Sequence, residues 1–252
     1  MNHLMLDCYG ANPILLNDVM YINDLMNEII ARLALKAIMP PSLIPYYYGK
    51  IKEDSGISSF SLLEGGHITI HTFPLRKCYF VDLFLEEEVD PSQLENILQE
   101  KLAYVKELSL TAVKDRRQNR FENHPYNEKL DFGPHILLSL NVKDLINMES
   151  IYDFLESLVK DVNMTPIIRP LVLKNKTKNP RYLSGIIMIA ESHISLHYNL
   201  ETKTIKADVF SCVPFEYNRL PKIFSVFGEL NSFEVIARGT KHYRIIEQFK
   251  AL

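Results

Sequence analysis

The side chains with most chemical capacity lie in the run Glu191-Ser192-His193-Ile194-Ser195-Leu196-His197. Cys212 follows fifteen positions beyond the last histidine, in Ala207-Asp208-Val209-Phe210-Ser211-Cys212. Hydroxyls, imidazoles and a thiol are thus gathered in one short stretch. Apolar Ile194, Leu196 and Tyr198 alternate with His193, Ser195 and His197, which is the period of a half-buried strand. A second alternating run, Thr204 to Phe210, follows the polar tip Asn199 to Lys203, so the two read as an antiparallel hairpin. With the turn centred near residue 202, paired positions sum to 404 and Ser192 faces Cys212. On spacing alone, a serine opposite a thiol is most simply a pair of small residues packed at the base of a hairpin.

Two histidine pairs invite a metal reading: His67 with His71, and His193 with His197. That spacing grips an ion on a helix, whereas on a strand the two imidazoles stand about 13 Å apart. No metal is expected.

The string ESHISLH has a serine, Ser184, eight positions before its Ser192 and a cysteine twenty after. It closely resembles the cleavage motif of bacterial S-adenosylmethionine decarboxylase proenzymes. The start, His3-Leu4-Met5-Leu6-Asp7-Cys8-Tyr9-Gly10-Ala11-Asn12-Pro13, is also similar to the usual bacterial opening. The resemblance implies autocatalytic breakage between Glu191 and Ser192, leaving Ser192 as an N-terminal pyruvoyl group, the only cofactor expected. That ketone would form a Schiff base with a substrate amine and accept the electrons of the departing carboxylate. Cys212 would be the acid that reprotonates the substrate carbon. Ser58 and His71 would assist maturation, His71 by removing the serine α-proton, and Phe73 would stack on a flat substrate group.

Ser192 and His197 are five apart, so on one strand they point to opposite faces about 16 Å apart. Because sites of the family it resembles use residues from both halves or both subunits, the resemblance implies a composite site that brings His71 of one half beside Ser192 of the other, in an intramolecular pseudo-dimer. Further association of copies is left open.

The substrate is less determined. Relatives that use S-adenosylmethionine carry a ribose-binding glutamate four residues after the matching histidine, where this chain has Leu75. A buried ribose without that partner forgoes a charge-assisted hydrogen bond of roughly 1.5 to 3 kcal/mol. A family aromatic that sandwiches adenine aligns with Lys52, although Tyr46 to Tyr48 could substitute. S-adenosylmethionine, feeding spermidine synthesis, comes first as the commonest activity of similar sequences. Arginine or ornithine decarboxylation through the same group is the alternative, and a non-catalytic activating partner of another decarboxylase is a third.

Composition fits a small-molecule enzyme. The chain has 252 residues, 47% of them hydrophobic, and a net charge of -3 with interleaved signs, which argues against nucleic-acid binding. The one basic run, Lys174 to Arg181, reads as a solvated loop. Three cysteines, Cys8, Cys78 and Cys212, make a disulfide framework improbable and point to the cytoplasm. Asp7, Asn17 and Asp18 interrupt any signal-like run, and nothing approaches the roughly 20 apolar residues of a membrane span.

The elements that must position these residues occur twice. In the first half a strand at His3 to Leu6 precedes a helix from Asp18 to Lys36. A strand at Ile57 to Leu63 follows, then a hairpin opening at Gly65 and returning over Cys78 to Leu85, and a helix from Pro91 to Val105. The second half gives a strand at His135 to Leu140, a helix from Met148 to Val162, strands at Met164 to Leu173 and Leu183 to Ala190, and the hairpin. A helix near Pro221 to Phe227 and a strand from Ser232 to Arg238 complete it. Superposed, Gly66 falls on Ser192, His71 on His197, Ser58 on Ser184, Asp82 on Asp208 and Glu86 on Cys212. Two copies of this length suit fused domains better than a solenoid. The expected fold is α+β, a duplicated α/β sandwich in which helices cover one face of each antiparallel sheet. A degenerate decarboxylase-like domain would span 1–122, a linker 123–133, and the domain with the cleavage serine 134–252.

Overall fold

The computed structural model describes residues 2–46, 51–123, 126–175 and 181–239. These divide into two compact units after Asp115.

In the first unit, β1 (Asn2–Tyr9) leads into α1 (Pro13–Leu16) and α2 (Val19–Arg32). Then come β2 (Ser42–Tyr46), β3 (Gly56–Leu63), β4 (Gly66–Phe73), β5 (Cys78–Leu85), α3 (Pro91–Lys101) and β6 (Leu110–Asp115). The six strands form one antiparallel sheet in the order β2-β3-β4-β5-β1-β6. The Asp18 carboxylate caps α2 by accepting from the Tyr21 amide, and helical spacing buries Ile22, Leu25, Met26 and Ile29 against the sheet's apolar face.

The second unit carries β7 (Phe121–Asn123), β8 (Gly133–Val142), α4 (Met148–Asp161), β9 (Leu171–Lys174) and β10 (Tyr182–Ile189). It continues through β11 (Ser192–Asn199), β12 (Thr204–Ser211), α5 (Leu220–Phe224) and β13 (Gly228–Arg238). The sheet order is β7-β13-β8-β12-β11-β10-β9, antiparallel except for the short β7 beside β13. Asn147 caps α4, whose Ile151, Phe154, Leu155, Leu158 and Val159 pack with Ile194, Leu196, Tyr198 and Val209 of the sheet.

The duplication is visible in the strand limits. Shifted by 126 residues, β3, β4 and β5 coincide end for end with β10, β11 and β12. Where the structure differs from expectation, a local cause is visible. The first long helix stops at Arg32, four residues short, because Ala34 turns to φ 51°, and Asn163 at φ 56° sits just beyond the end of α4 in the same way. The third helix ends at Lys101 and α5 at Phe224. The expected strand from Met164 shrinks to Leu171–Lys174, since Pro166 and Pro170 have no amide to give a ladder. The central hairpin pairs Asn199 with Thr204, so partners sum to 403 and Ser192 faces Ser211, one residue from the expected Cys212. Nor is β11 half-buried: every residue from Ser192 to Asn199 is buried, on its polar face as on its apolar one.

No helix of the described residues is long and apolar enough to cross a membrane.

Candidate active site

Glu191 lies in a two-residue turn, Ala190–Glu191, that joins β10 to β11, with Ile189 paired to Ser192 across it. Such short connections favour backbone with positive φ, which glycine supplies most readily. This turn contains no glycine, and the positive angle falls on Ser192, at φ 147°. Holding a serine there costs on the order of 1–3 kcal/mol, and strain of this kind persists only where the surroundings enforce it.

Three contacts enforce it. The Cys212 amide donates to the Glu191 carbonyl at 2.7 Å, the Thr165 amide donates to the Glu191 carboxylate Oε2 at 3.0 Å, and the Ala190 amide donates to the Thr165 carbonyl at 2.8 Å. Both the carbonyl and the side chain of the residue before Ser192 are thus fixed. The Ser192 hydroxyl is buried and has no hydrogen-bond partner. Cys212 is buried, takes part in no disulfide, and follows Ser211, the cross-strand partner of Ser192. The arrangement offers an electrophile, a carbonyl polarised by an amide, and an uncommitted hydroxyl on adjacent residues.

The one-residue register difference has chemical meaning. At a sum of 404 the Cys212 side chain would stand across from Ser192; at 403 it is the Cys212 amide that reaches the preceding carbonyl.

The polar face of the second sheet carries a connected cluster that spacing did not reveal. The Asp208 carboxylate accepts from the Ser195 hydroxyl, from His193 Nε2 at 3.1 Å and from His135 Nε2 at 3.2 Å. The Arg238 guanidinium donates to His135 Nδ1 at 2.9 Å and lies over the Phe210 ring at 4.8 Å. Arg116 donates to the carbonyls of Leu138 and Ala207. Burial draws its pKa down to about 10, against the pull of Asp208 and Glu234. His135, His193 and Asp208 offer ligand atoms within 4.8 Å of one another, as a metal site would. Arg238 occupies His135 Nδ1, however, which puts that ring's proton on Nε2, toward Asp208. The signal in the sequence was an aspartate on the polar face of a strand, which required a buried partner.

In the same sheet, His197 Nδ1 bonds Ser184 Oγ at 2.9 Å. The first unit repeats this pair with His71 Nδ1 and Ser58 Oγ, also at 2.9 Å. Phe73 is buried with its ring centroid 5.5 Å from that of Phe80, while Leu75 and Lys52 are exposed. Tyr47 and Tyr48, offered as adenine partners, lie outside the described residues, as do residues 176–180 of the basic run.

The model of the S-adenosylmethionine decarboxylase family matches residues 2–114 and 137–227. This chain belongs to that family. Its members are carboxy-lyases, and both copies contribute to the match. An S-adenosylmethionine decarboxylase proenzyme of Archaeoglobus fulgidus is 32% identical over 99 residues, 38% of this chain and 84% of that one. A proenzyme of the same name from Hydrogenobaculum is 40% identical over 83 residues, which span 32% of this chain and 59% of the relative. Among solved structures, an adenosylmethionine decarboxylase from Aquifex aeolicus is 28% identical, with a TM-score of 0.37, covering 43% of this chain and 92% of that chain.

Proposed function

We propose that this chain is the precursor of a pyruvoyl-dependent decarboxylase that cuts itself between Glu191 and Ser192 and acts on S-adenosylmethionine. The observation that carries this reading is the Cys212 amide held 2.7 Å from the Glu191 carbonyl, beside a strained Ser192 whose buried hydroxyl is uncommitted.

The Ser192 hydroxyl attacks the Glu191 carbonyl carbon, and the oxygen that gains charge is met by a donor already in place, an advantage of about 10²–10³ in comparable sites. Collapse breaks the carbon–nitrogen bond, giving an ester on Oγ and a free Ser192 amine. Loss of the Ser192 α-proton then expels the Glu191 carboxylate. Water replaces the nitrogen, released as ammonia, and Ser192 remains as the pyruvoyl group. Once formed, that group supplies a ketone able to accept the electrons of a departing carboxylate. The fit is supported by the serine's freedom from other hydrogen bonds and by the register that puts Cys212 next to its partner strand position.

Cys212 is assigned to deliver a proton from Sγ to the substrate carbon after carbon dioxide leaves. His71 is assigned to remove the α-proton during maturation, with its Nδ1 bonded to Ser58 Oγ, which leaves Nε2 as the nitrogen for the task. Phe73 is assigned to the flat part of the substrate. Three free cysteines favour a cytoplasmic setting, and decarboxylated S-adenosylmethionine would feed spermidine synthesis.

Leu75 is the observation that favours a second reading. It stands where a ribose-binding carboxylate belongs, and a free amino acid such as arginine or ornithine has no ribose to hold. Release of labelled carbon dioxide from S-adenosylmethionine, arginine and ornithine, offered separately, decides between them. Turnover of S-adenosylmethionine alone is expected, and turnover of a free amino acid alone would overturn the choice of substrate.

A further inference from the structure

The precursor's cleavage geometry depends on β11 and β12 meeting in one register, and the side chains that fix this register lie away from the scissile bond. Ser195 stands directly opposite Asp208, and His193 is opposite Phe210, two residues along the same face. The Asp208 carboxylate therefore holds two successive polar side chains of β11 through Ser195 Oγ and His193 Nε2. It also reaches the strand on its other side through His135 Nε2. His193 is the residue immediately after Ser192. A one-residue slip of β11 would turn every one of its side chains to the opposite face and break both of its bonds to Asp208 together, while the His135 bond holds Asp208 to β8. The same slip would carry the Cys212 amide off the Glu191 carbonyl, because Cys212 directly follows the partner of Ser192.

The first unit has an aspartate at the matching strand position. Asp82 faces Thr69 there, the Thr69 hydroxyl is buried with no partner, and His3 Nε2 stands 3.7 Å from the carboxylate.

We propose that Asp208 is a positioning residue for self-cleavage: held to β8 through His135, its grip on Ser195 and His193 sets the register that places the Cys212 amide on the Glu191 carbonyl. This rests on the self-cleaving reading above. It assigns Asp208 to the acyl shift and leaves the later elimination to other groups.

The test follows full-length chains from synthesis, measuring the first-order rate at which fragments 1–191 and 192–252 appear, with melting temperature recorded alongside. Asp208→Asn should slow cleavage about 10- to 100-fold, the scale expected when reacting groups are misplaced by about an ångström. Its uncut chain should stay whole in hydroxylamine, because no ester has formed. Ser195→Ala keeps the carboxylate and removes one donor, so it should slow cleavage by a smaller factor while the chain stays folded, and it carries the test if Asp208→Asn does not fold. Wild-type cleavage rates in the folded variants, or an uncut Asp208→Asn chain that hydroxylamine splits at Glu191, would overturn the assignment. A wild-type chain that never cuts would defeat the underlying reading instead.

Discussion

The turns Glu64–Gly65 and Ala190–Glu191 occupy the same place in the two units, and each joins the first strand of its hairpin to the second. In the first unit Gly65 takes φ 76° and Gly66 follows it, so glycine absorbs the unusual backbone. In the second unit neither turn residue is glycine and the positive φ falls on Ser192. The glycine copy has also closed up: a Cβ on Gly66 would lie 1.9 Å from the Phe84 carbonyl oxygen. Around Ser192 the sequence keeps a side chain at the expense of strain, and three backbone amides pin the residues before it. The first hairpin thus places its unusual backbone angle on a glycine, and the second places it on a serine.

The comparison can be broken most directly at the serine. Ser192→Ala should abolish cleavage and decarboxylation together, leaving one chain on denaturing electrophoresis. Any residual decarboxylase activity in that variant would contradict the assignment.

Cys212→Ala separates the backbone role of this position from its side-chain role. The amide that meets the Glu191 carbonyl remains, so fragments should still form, at most more slowly, while turnover falls by about 10²–10⁴, the usual contribution of a positioned proton donor. Fragment yield and carbon dioxide release, measured on one preparation, check both halves of this.

Gly66→Ser asks whether the relaxed copy can be revived. The added Cβ collides with strand backbone, so no cut should appear at residue 66, and the fold should lose roughly 1–3 kcal/mol in denaturant titration. A new cut there would show that the two hairpins differ only by a hydroxyl.

The smallest effects concern the paired Ser–His contacts. Ser58→Ala should slow maturation by removing the bond to His71 Nδ1. Ser184→Ala, which breaks the matching bond to His197, should leave the cleavage rate alone and cost about 1 kcal/mol of stability. Equal effects of the two changes on cleavage would erase the functional difference between the copies.

Much of this was legible in the residues because alternation is a local signal. The runs around Ser192 and Thr204 specify a hairpin, and the 126-residue offset between the copies foretells the matched strands. What escaped depended on backbone rather than side-chain pattern. Alternation fixes which face Ser192 and Cys212 occupy but not the turn length, and the turn sets whether partners sum to 404 or 403. The Asp208 cluster escaped because His135 lies more than seventy residues from its carboxylate. Strand order alone brings them together. Helix ends were overrun because apolar spacing continues past Arg32, whereas the stop is a left-handed Ala34 that composition does not announce.

The central claim is that this polypeptide severs itself, and intact mass of freshly purified wild-type protein tests it most directly. Two fragments, 1–191 and 192–252, are expected, the second lighter by one ammonia than a chain that begins with serine. A single continuous chain of 29.2 kDa in active material would contradict the account.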